Sequence, residues 1–319
     1  MKRKLIKQGL GGVTVTLHIK WIRELNLDAG AEVEVNETEQ GILISSQALE
    51  GKKKTKELFI KKEETGRLRT IISSLYRQGY DEITLNFETP FSLNEITKMV
   101  ESLLGYIITE QTDKRIIIKN AFKDNFEEIN TIINKMFITT TFFIKQVSEY
   151  IASVRNNRTS KRSRYTSERP DKSTNHSFAQ YINGKKIKEE ELADLRNSII
   201  KQRDYCQRMI NVQQFEKEKS YEYHLLIFTL EKIASNGNNF ISLKKKIKSS
   251  AVKELEEIID YLVELQKAFL KKDSAFAITL NDKIYNYKKK KDLDSSIPLF
   301  AVMSENLFTL SSRIVAILI

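Results

Sequence analysis

The chain has 319 residues, of which 40% are apolar and 30% charged, and its formal net charge is +11. This length is enough for two or three globular domains, and the positive charge favours anionic partners such as nucleic acid or an anionic membrane face. A single cysteine, Cys206, excludes an intramolecular disulfide and is typical of a reducing cytoplasm.

The basic start MKRKLIKQGLGG has no apolar core of the kind that a secretory signal contains. No run reaches the roughly 18 apolar residues needed to span a bilayer. The most apolar segment, 297–319, is interrupted by polar side chains, which favours a buried final helix over a helix on a membrane surface. We therefore expect a cytoplasmic protein without membrane insertion.

Short alternating segments predict strands within residues 1–50. RKLIKQG and VTVTL come first, and AEVEV and GILIS form a second pair. Between the pairs, IKWIRELN places Ile19, Ile22 and Leu25 on one helical face. The lysine-rich segment 51–57, GKKKTKE, predicts a linker.

Charge is segregated within these fifty residues. Residues 24–50 hold seven acids and no base, whereas residues 1–23 hold no acid. The bases of residues 1–23 are Lys2, Arg3, Lys4, Lys7, Lys20 and Arg23. Bases on a strand and at the start of a helix can approach phosphates together, as in strand-based readers of DNA. Lysines also protect solvated strand edges, and composition alone leaves both interpretations open.

The order KRKLIKQG, GGVTVTL, KWIRELNL, DAGAEVEV and GILI resembles the AbrB/MazE/SpoVT family of swapped-hairpin DNA-binding domains. The resemblance covers residues 2–46 and implies that two chains exchange hairpins to build one β-barrel on DNA, with the six bases contacting mostly phosphate. The expected shared core is Val13, Val15, Leu17, Trp21, Leu25, Val33, Val35, Ile42 and Ile44. His18 stands where the family pattern leads us to expect proline, and we expect it to be a half-exposed helix cap.

Residues 57–120 predict a small α/β domain. A helix in GRLRTIISSLYRQGY ends at Gly79, and a second helix opens with a capping box from Ser92 to Glu95 and ends at Gly105. The predicted strands are DEITLNF, YIITEQ and KRIIIKN, the last two separated by Thr112 and Asp113.

Residues 123–319 predict a helical domain, either one bundle or two three-helix halves. Its first helix places an apolar stripe at Ile129, Ile132, Ile133, Met136, Phe137 and Thr140. A polar basic loop is predicted at 156–176. The later helices are predicted at 187–212, 217–247, 250–271, 273–289 and 297–318.

The succession of GRLRTIISSLYRQGYDEITL, LLGYIITEQTDKRIIIKN and a helical half resembles archaeal phosphate-uptake-regulator-like proteins. In these, an AbrB-type head precedes a PhoU-like helical domain. The resemblance implies a multidomain α+β fold and a homodimeric DNA-binding transcriptional regulator linked to phosphate uptake. The alternative is a PhoU-like signalling adaptor whose helical domain binds a transporter or kinase, with the hairpins serving only dimerisation.

PhoU-type bundles bind metal clusters through E/D-x-x-x-D pairs. Glu190 and Asp194 have this spacing, as do Glu256 and Asp260, whereas Glu231 is followed by Ser235 where the second acid belongs. A solvated acidic face explains such pairs more simply, so we expect neither a metal nor another cofactor.

The remaining chemistry-bearing residues predict no enzyme. His18, His176 and His224 lack metal-ligand spacing, and no nucleophile, base and orienting group come together. Cys206 is interpreted as a small core residue. The lysine runs 244–248 and 288–291 are interpreted as helix-end charges, with extra DNA contacts as the alternative.

Overall fold

The computed structural model describes residues 3–9, 11–24, 26–38, 41–46, 53–121, 129–163, 187–212, 217–243, 250–294 and 298–319. The chain forms two compact units, Met1–Lys54 (the head unit) and Thr55–Ile319 (the second unit). It is a mixed α+β protein with small sheets near its N-terminus and a helical C-terminal region. The predicted three-domain division, 1–50, 57–120 and 123–319, stays a prediction.

The head unit contains two antiparallel hairpins with one short helix between them. Its elements are β1 (Leu5–Gln8), β2 (Gly12–Val15), α1 (Ile19–Glu24), β3 (Val33–Thr38) and β4 (Gly41–Ser46). β1 pairs only with β2 and β3 only with β4, so the described residues form two separate sheets and no closed barrel. Gly9, in the turn after β1, has φ +65°, a backbone conformation that glycine adopts without strain.

The second unit begins with a four-stranded sheet. Its elements are β5 (Thr55–Ile60), a 3₁₀ segment (Lys62–Arg67), α2 (Leu68–Arg77), β6 (Glu82–Phe87), α3 (Leu93–Glu101), β7 (Tyr106–Gln111) and β8 (Arg115–Asn120). The strand order is β5-β6-β8-β7; β5 runs parallel to β6, and the other neighbours are antiparallel.

Strand β5 corrects the predicted linker at 51–57, because Thr55 to Glu57 belong to the strand. Leu58 is half-buried and Ile60 buried, whereas Phe59 between them is 63% exposed. This alternation is typical of an edge strand with one face toward a core. The basic residues just before it concealed the pattern in the sequence.

Gly79 has φ +81° and lies directly after Gln78, the C-cap of α2, as expected for a residue that terminates a helix. The predicted end of α3 at Gly105 is wrong: α3 ends at Glu101 with Ser102 as its C-cap, and Gly105, with φ +85°, lies in the turn before β7. The predicted capping box at the start of α3 is wrong: Ser92 is the N-cap residue, but its side chain makes no capping hydrogen bond. Its carbonyl accepts the Glu95 N–H at 3.2 Å instead.

In the described residues, six helices follow this sheet: α4 (Ile129–Ser163), α5 (Glu189–Val212), α6 (Lys217–Leu243), α7 (Ser250–Lys271), α8 (Ser274–Asp294) and α9 (Pro298–Leu318). They agree with the predicted ranges, except that α8 is longer and 156–163 continue α4 instead of forming a loop. Lysine and arginine are good helix formers, so a polar basic sequence does not by itself end a helix. The rest of that predicted loop, 164–176, and residues 244–247 lie outside the described residues.

The helices pack as two groups of three. α4, α5 and α6 contact one another, as do α7, α8 and α9, and the groups meet through α4 with α7 and α6 with α9. Because α6 and α9 pack together as extensively as any pair within a group, both predicted alternatives, one bundle and two three-helix halves, stay open. The predicted stripe on α4 is confirmed: Ile132 is half-buried and its other members are buried.

Helix α9 is, among the described residues, the one helix long and apolar enough to cross a membrane by length and composition. Within the second unit it contacts α6, α7 and α8. Its buried residues include Phe300, Met303, Leu307, Leu310 and Ile314. The apolar side chains of this helix therefore contribute to the core, as predicted.

Candidate nucleic-acid interface

Five of the six predicted DNA-contacting residues lie within the described part of the head unit, and all five are exposed. Arg3 and Lys4 precede β1, Lys7 lies in β1, and Lys20 and Arg23 lie in α1. Among the residues that the structure describes, none of the five is in an ion pair. Lys2 lies outside the described residues. These cations are therefore available to an anionic partner.

The first hairpin places Lys7 on the same face as predicted core residues. Lys7 is opposite Val13, and Leu5 is opposite Val15. Side chains alternate along a strand, so these four residues share one face of the hairpin. This face of the first hairpin therefore carries both a basic side chain and apolar side chains, which composition alone does not show.

His18 is the N-cap of α1. Its Nδ1 accepts a hydrogen bond from the Lys20 backbone N–H at 3.1 Å, and its carbonyl accepts the Ile22 N–H at 3.2 Å. The side chain is half-buried, so the predicted half-exposed cap is confirmed. A side-chain acceptor at this position satisfies a backbone donor that the first helical turn leaves unpaired. The cap fixes the start of α1, on which Lys20 and Arg23, three residues apart, project from the same side.

The described residues of the head unit form no buried core in the single chain. None of its residues with described burial is buried. The exposed members of the predicted core are Val13, Val15, Val35 and Ile42, at 41–68% exposure. Leu17, Trp21, Val33 and Ile44 are half-buried, and Leu25 lies outside the described residues. A soluble unit seldom leaves so large a share of its apolar side chains in water unless another surface covers them.

The lysine run 288–291 is partly neutralised within the second unit. Lys288 forms an ion pair with Glu305, and Lys291 lies 3.4 Å from Glu254. The Nζ of Lys289 is 4.5 Å from the centre of the Tyr285 ring. These contacts favour a structural role for the run. The run 244–248 lies outside the described residues.

The carboxylates considered for a metal site differ in their exposure. Glu190, Asp194, Glu256 and Asp260 are exposed, whereas Glu231 is 5% exposed. Within the described ranges, no group of three or more His, Cys, Asp or Glu side chains is placed to hold a metal ion.

Glu231 instead forms ion pairs with two arginines of α5. Arg196 contacts one of its carboxylate oxygens, and Arg203 Nη1 lies 3.8 Å from the other. Sequence reasoning missed these partners, because helical spacing does not identify which charges meet between α5 and α6.

Cys206 is confirmed as a core residue. It is fully buried, and its Sγ lies 4.0 Å from the Met136 Sδ. Burial raises the pKa of this thiol, which keeps it protonated and unreactive. Of the three histidines, His18 and His224 lie in different units, and His176 lies outside the described residues.

Comparisons with protein-family models, curated proteins and solved structures show no match to this chain. The AbrB-type and PhoU-like resemblances therefore stay predictions. The interpretation of function rests on the chain's own residues.

Proposed function

We propose that the chain is a cytoplasmic DNA-binding transcriptional regulator that acts as a homodimer through its head unit. One observation carries the proposal. A unit of about fifty residues combines exposed cations that have no ion-pair partner in the described residues with apolar side chains of which none with described burial is buried. A second copy would cover the apolar surface, and DNA would neutralise the cations.

The second copy is the occupant that the apolar surface favours. A unit this short cannot bury enough apolar area to fold stably by itself, so oligomerisation is a usual solution. The exposed valines and isoleucines occur on both hairpins, at Val13 and Val15 of β2, Val35 of β3 and Ile42 of β4. A two-fold dimer brings the same patch of each chain together, so one apolar surface provides both sides of the interface. Exchange of hairpins into a shared barrel is the form that the AbrB-type resemblance implies.

The cations fit contacts to the DNA backbone. Arg and Lys on a strand and a short helix bind phosphate oxygens, and each such contact releases condensed counterions. Affinity should therefore fall steeply with salt. The PhoU-like resemblance is the ground for proposing a link to phosphate uptake. In this proposal, the second unit receives the regulatory signal.

The DNA part of the proposal is tested with the full chain by fluorescence anisotropy on labelled duplexes over a salt series. The variant Arg3→Gln/Lys4→Gln/Lys7→Gln removes three head cations. Its matched control, Lys98→Gln/Lys253→Gln/Lys267→Gln, removes three exposed lysines of the second unit. Each lost phosphate contact should lower the slope of log K against log salt by about 0.9, or up to about 3 per protomer for the head variant.

The dimer part is tested by light scattering of the full chain. Val13→Glu places a charge on the apolar face of the first hairpin, whereas Thr14→Glu places the same charge on the opposite face. We expect Val13→Glu to lower the dimer fraction and Thr14→Glu to retain it.

Two results would refute the proposal. If the head variant binds DNA with wild-type affinity and salt slope, the assigned cations are wrong. If the wild type binds no DNA even at about 50 mM salt, where phosphate contacts are strongest, the adaptor alternative is favoured.

A further inference from the structure

A cavity of about 230 Å³ opens within the second unit between α2, α5 and α6. It is open to solvent and lined by Ser74, Arg77, Gln78, Gln207, Asn211 and His224. Every lining side chain in the described part of the chain is polar, and none of these is a carboxylate. The site is shallow, and its lining offers hydrogen-bonding groups rather than apolar surface to whatever occupies it.

Arg77 forms one end of a chain of ion pairs with an excess of positive charge. Its Nη1 lies 3.2 Å from Asp204 Oδ1, which Arg203 Nη2 also contacts at 2.8 Å. Arg203 continues to Glu231 at 3.8 Å, and Glu231 pairs with Arg196. Three guanidinium groups thus share two carboxylates. Both carboxylate residues are buried, at 4% and 5% exposure, so the part of this ion-pair chain that faces solvent is formed by the arginines.

The excess charge is most accessible at Arg77. Its side chain is 28% exposed, against 21% for Arg203 and 15% for Arg196. Besides the contact with Asp204, Arg77 Nη2 donates to Ser74 Oγ at 3.2 Å. A guanidinium group has five N–H donors, and contacts with the described residues use two of them.

The other lining groups add neutral hydrogen-bonding capacity. Asn211 Nδ2 donates to the Arg77 carbonyl at 2.7 Å, which holds the end of α2 against α5. Burial lowers the pKa of His224, which favours the neutral imidazole, a group with one hydrogen-bond donor and one acceptor. Gln207 supplies an amide that has both donor and acceptor atoms.

We propose that this cavity binds a small metabolite through an oxyanion group, either a phosphate or a carboxylate, which contacts Arg77. A guanidinium group matches the geometry of both oxyanions. Asp204 is shared between Arg77 and Arg203, so it neutralises the charge of Arg77 only in part. Gln207, Asn211 and His224 contact the polar remainder of the ligand. The volume restricts the ligand to a compact molecule. Binding bridges α2 to α5 and α6 and so stabilises the second unit, whether or not the head unit binds DNA.

The test measures the thermal stability and binding enthalpy of the full chain with sodium phosphate, sodium sulfate or sodium succinate, each against sodium chloride at equal ionic strength. We expect saturable stabilisation above chloride by at least one anion. Stabilisation by phosphate and sulfate alone identifies a tetrahedral oxyanion, and stabilisation by succinate identifies a carboxylate. No stabilisation by any of the three overturns the proposal.

Three variants locate the effect. Arg77→Gln should weaken the effective anion at least tenfold, whereas Arg69→Gln, an exposed arginine of the same helix, should retain wild-type affinity. Gln207→Trp fills the cavity without removing an ion pair and should abolish binding. If Arg77→Gln fails to fold, Gln207→Trp decides alone. Wild-type affinity in Gln207→Trp, or in a folded Arg77→Gln, overturns the proposal.

Discussion

Arg208 offers the sharpest test of how the sheet and the helices of the second unit are joined. It lies in α5 with no exposed surface, yet its guanidinium contacts the last turn of α2, at the Tyr76 carbonyl, and the loop between α2 and β6, at Tyr80 and Asp81. Nη1 donates to the Tyr80 carbonyl at 2.6 Å, and Nη2 pairs with Asp81 Oδ1 at 2.8 Å. The guanidinium carbon is 5.5 and 5.8 Å from the ring centres of Tyr76 and Tyr106. One side chain thus joins three elements.

Replacement of Arg208 by methionine should lower the free energy of unfolding by about 3–5 kcal/mol. Removal of one partner from a buried ion pair costs about this much, and each lost hydrogen bond from a charged donor contributes about 1.5–3 kcal/mol. Asp81 is 31% exposed, so water partly hydrates the carboxylate left behind and the cost stays within this range. Arg208→Lys keeps the charge but lacks the fork needed to reach Tyr80 and Asp81 together, so we expect about 1–3 kcal/mol.

The assay is urea denaturation of the full chain, followed by far-UV circular dichroism. The head unit contributes one six-residue helix in its described part, so the helical signal reports chiefly on the second unit. Arg69→Met, on the exposed side of α2, is the control and should change stability by no more than about 0.5 kcal/mol. A double-mutant cycle with Asp81→Asn separates the ion pair from the other contacts. A loss below about 1 kcal/mol for Arg208→Met would show that this side chain does not join the elements as argued.

Three further predictions follow from the second unit. Gly79→Ala should lower the free energy of unfolding by about 1–3 kcal/mol, because φ is +81° and the new Cβ would lie 2.6 Å from Val212 Cγ2. Gly66→Ala is the control, since a Cβ there would have nothing within 4 Å. Equal stability of the two variants in urea would contradict the strain argument. Burial raises the pKa of the Cys206 thiol, so this residue should resist iodoacetamide in the native chain and react with it in urea. Mass spectrometry measures the labelling, and rapid labelling of the native chain would contradict the prediction. Burial lowers the pKa of His224, so the unfolded chain binds a proton at this imidazole more readily than the folded chain, and stability should fall as pH drops below 6.5. His224→Gln should make this fall less steep in thermal melts over a pH series. An unchanged slope would be inconsistent with burial of the imidazole.

Helical periodicity predicted the second unit well where burial follows the apolar stripe. Met136 and Phe137, for example, lie in the core as their spacing indicates. Periodicity does not identify the role of Arg208, because a helical pattern alone gives no reason to place an arginine in the core unless the opposing surface is known. That surface includes the backbone carbonyl of Tyr80, which sequence patterning does not represent.

Local context explains the other differences. β5 was missed because Lys53, Lys54 and Lys56 gave its beginning the composition of a linker, and only pairing with β6 shows it as a strand. The capping box at Ser92 had the expected residue types, but side-chain geometry decides whether the hydrogen bond forms. His18 shows the reverse, since an unexpected residue type fulfils the capping role that the position requires.

The candidate interface depends on a second copy of the chain, because one chain alone does not cover the apolar face of its first hairpin. Lys7 shares a hairpin face with Val13 and Val15, so covering that face also determines where the Lys7 ammonium group lies. If the heads pair as proposed, folding of the head and presentation of its cations are one event, and both depend on protein concentration. DNA affinity should then rise more steeply with protein concentration than one-site binding predicts. The steepness should disappear in Val13→Glu and persist in Thr14→Glu, which separates a paired interface from cations displayed by independent heads.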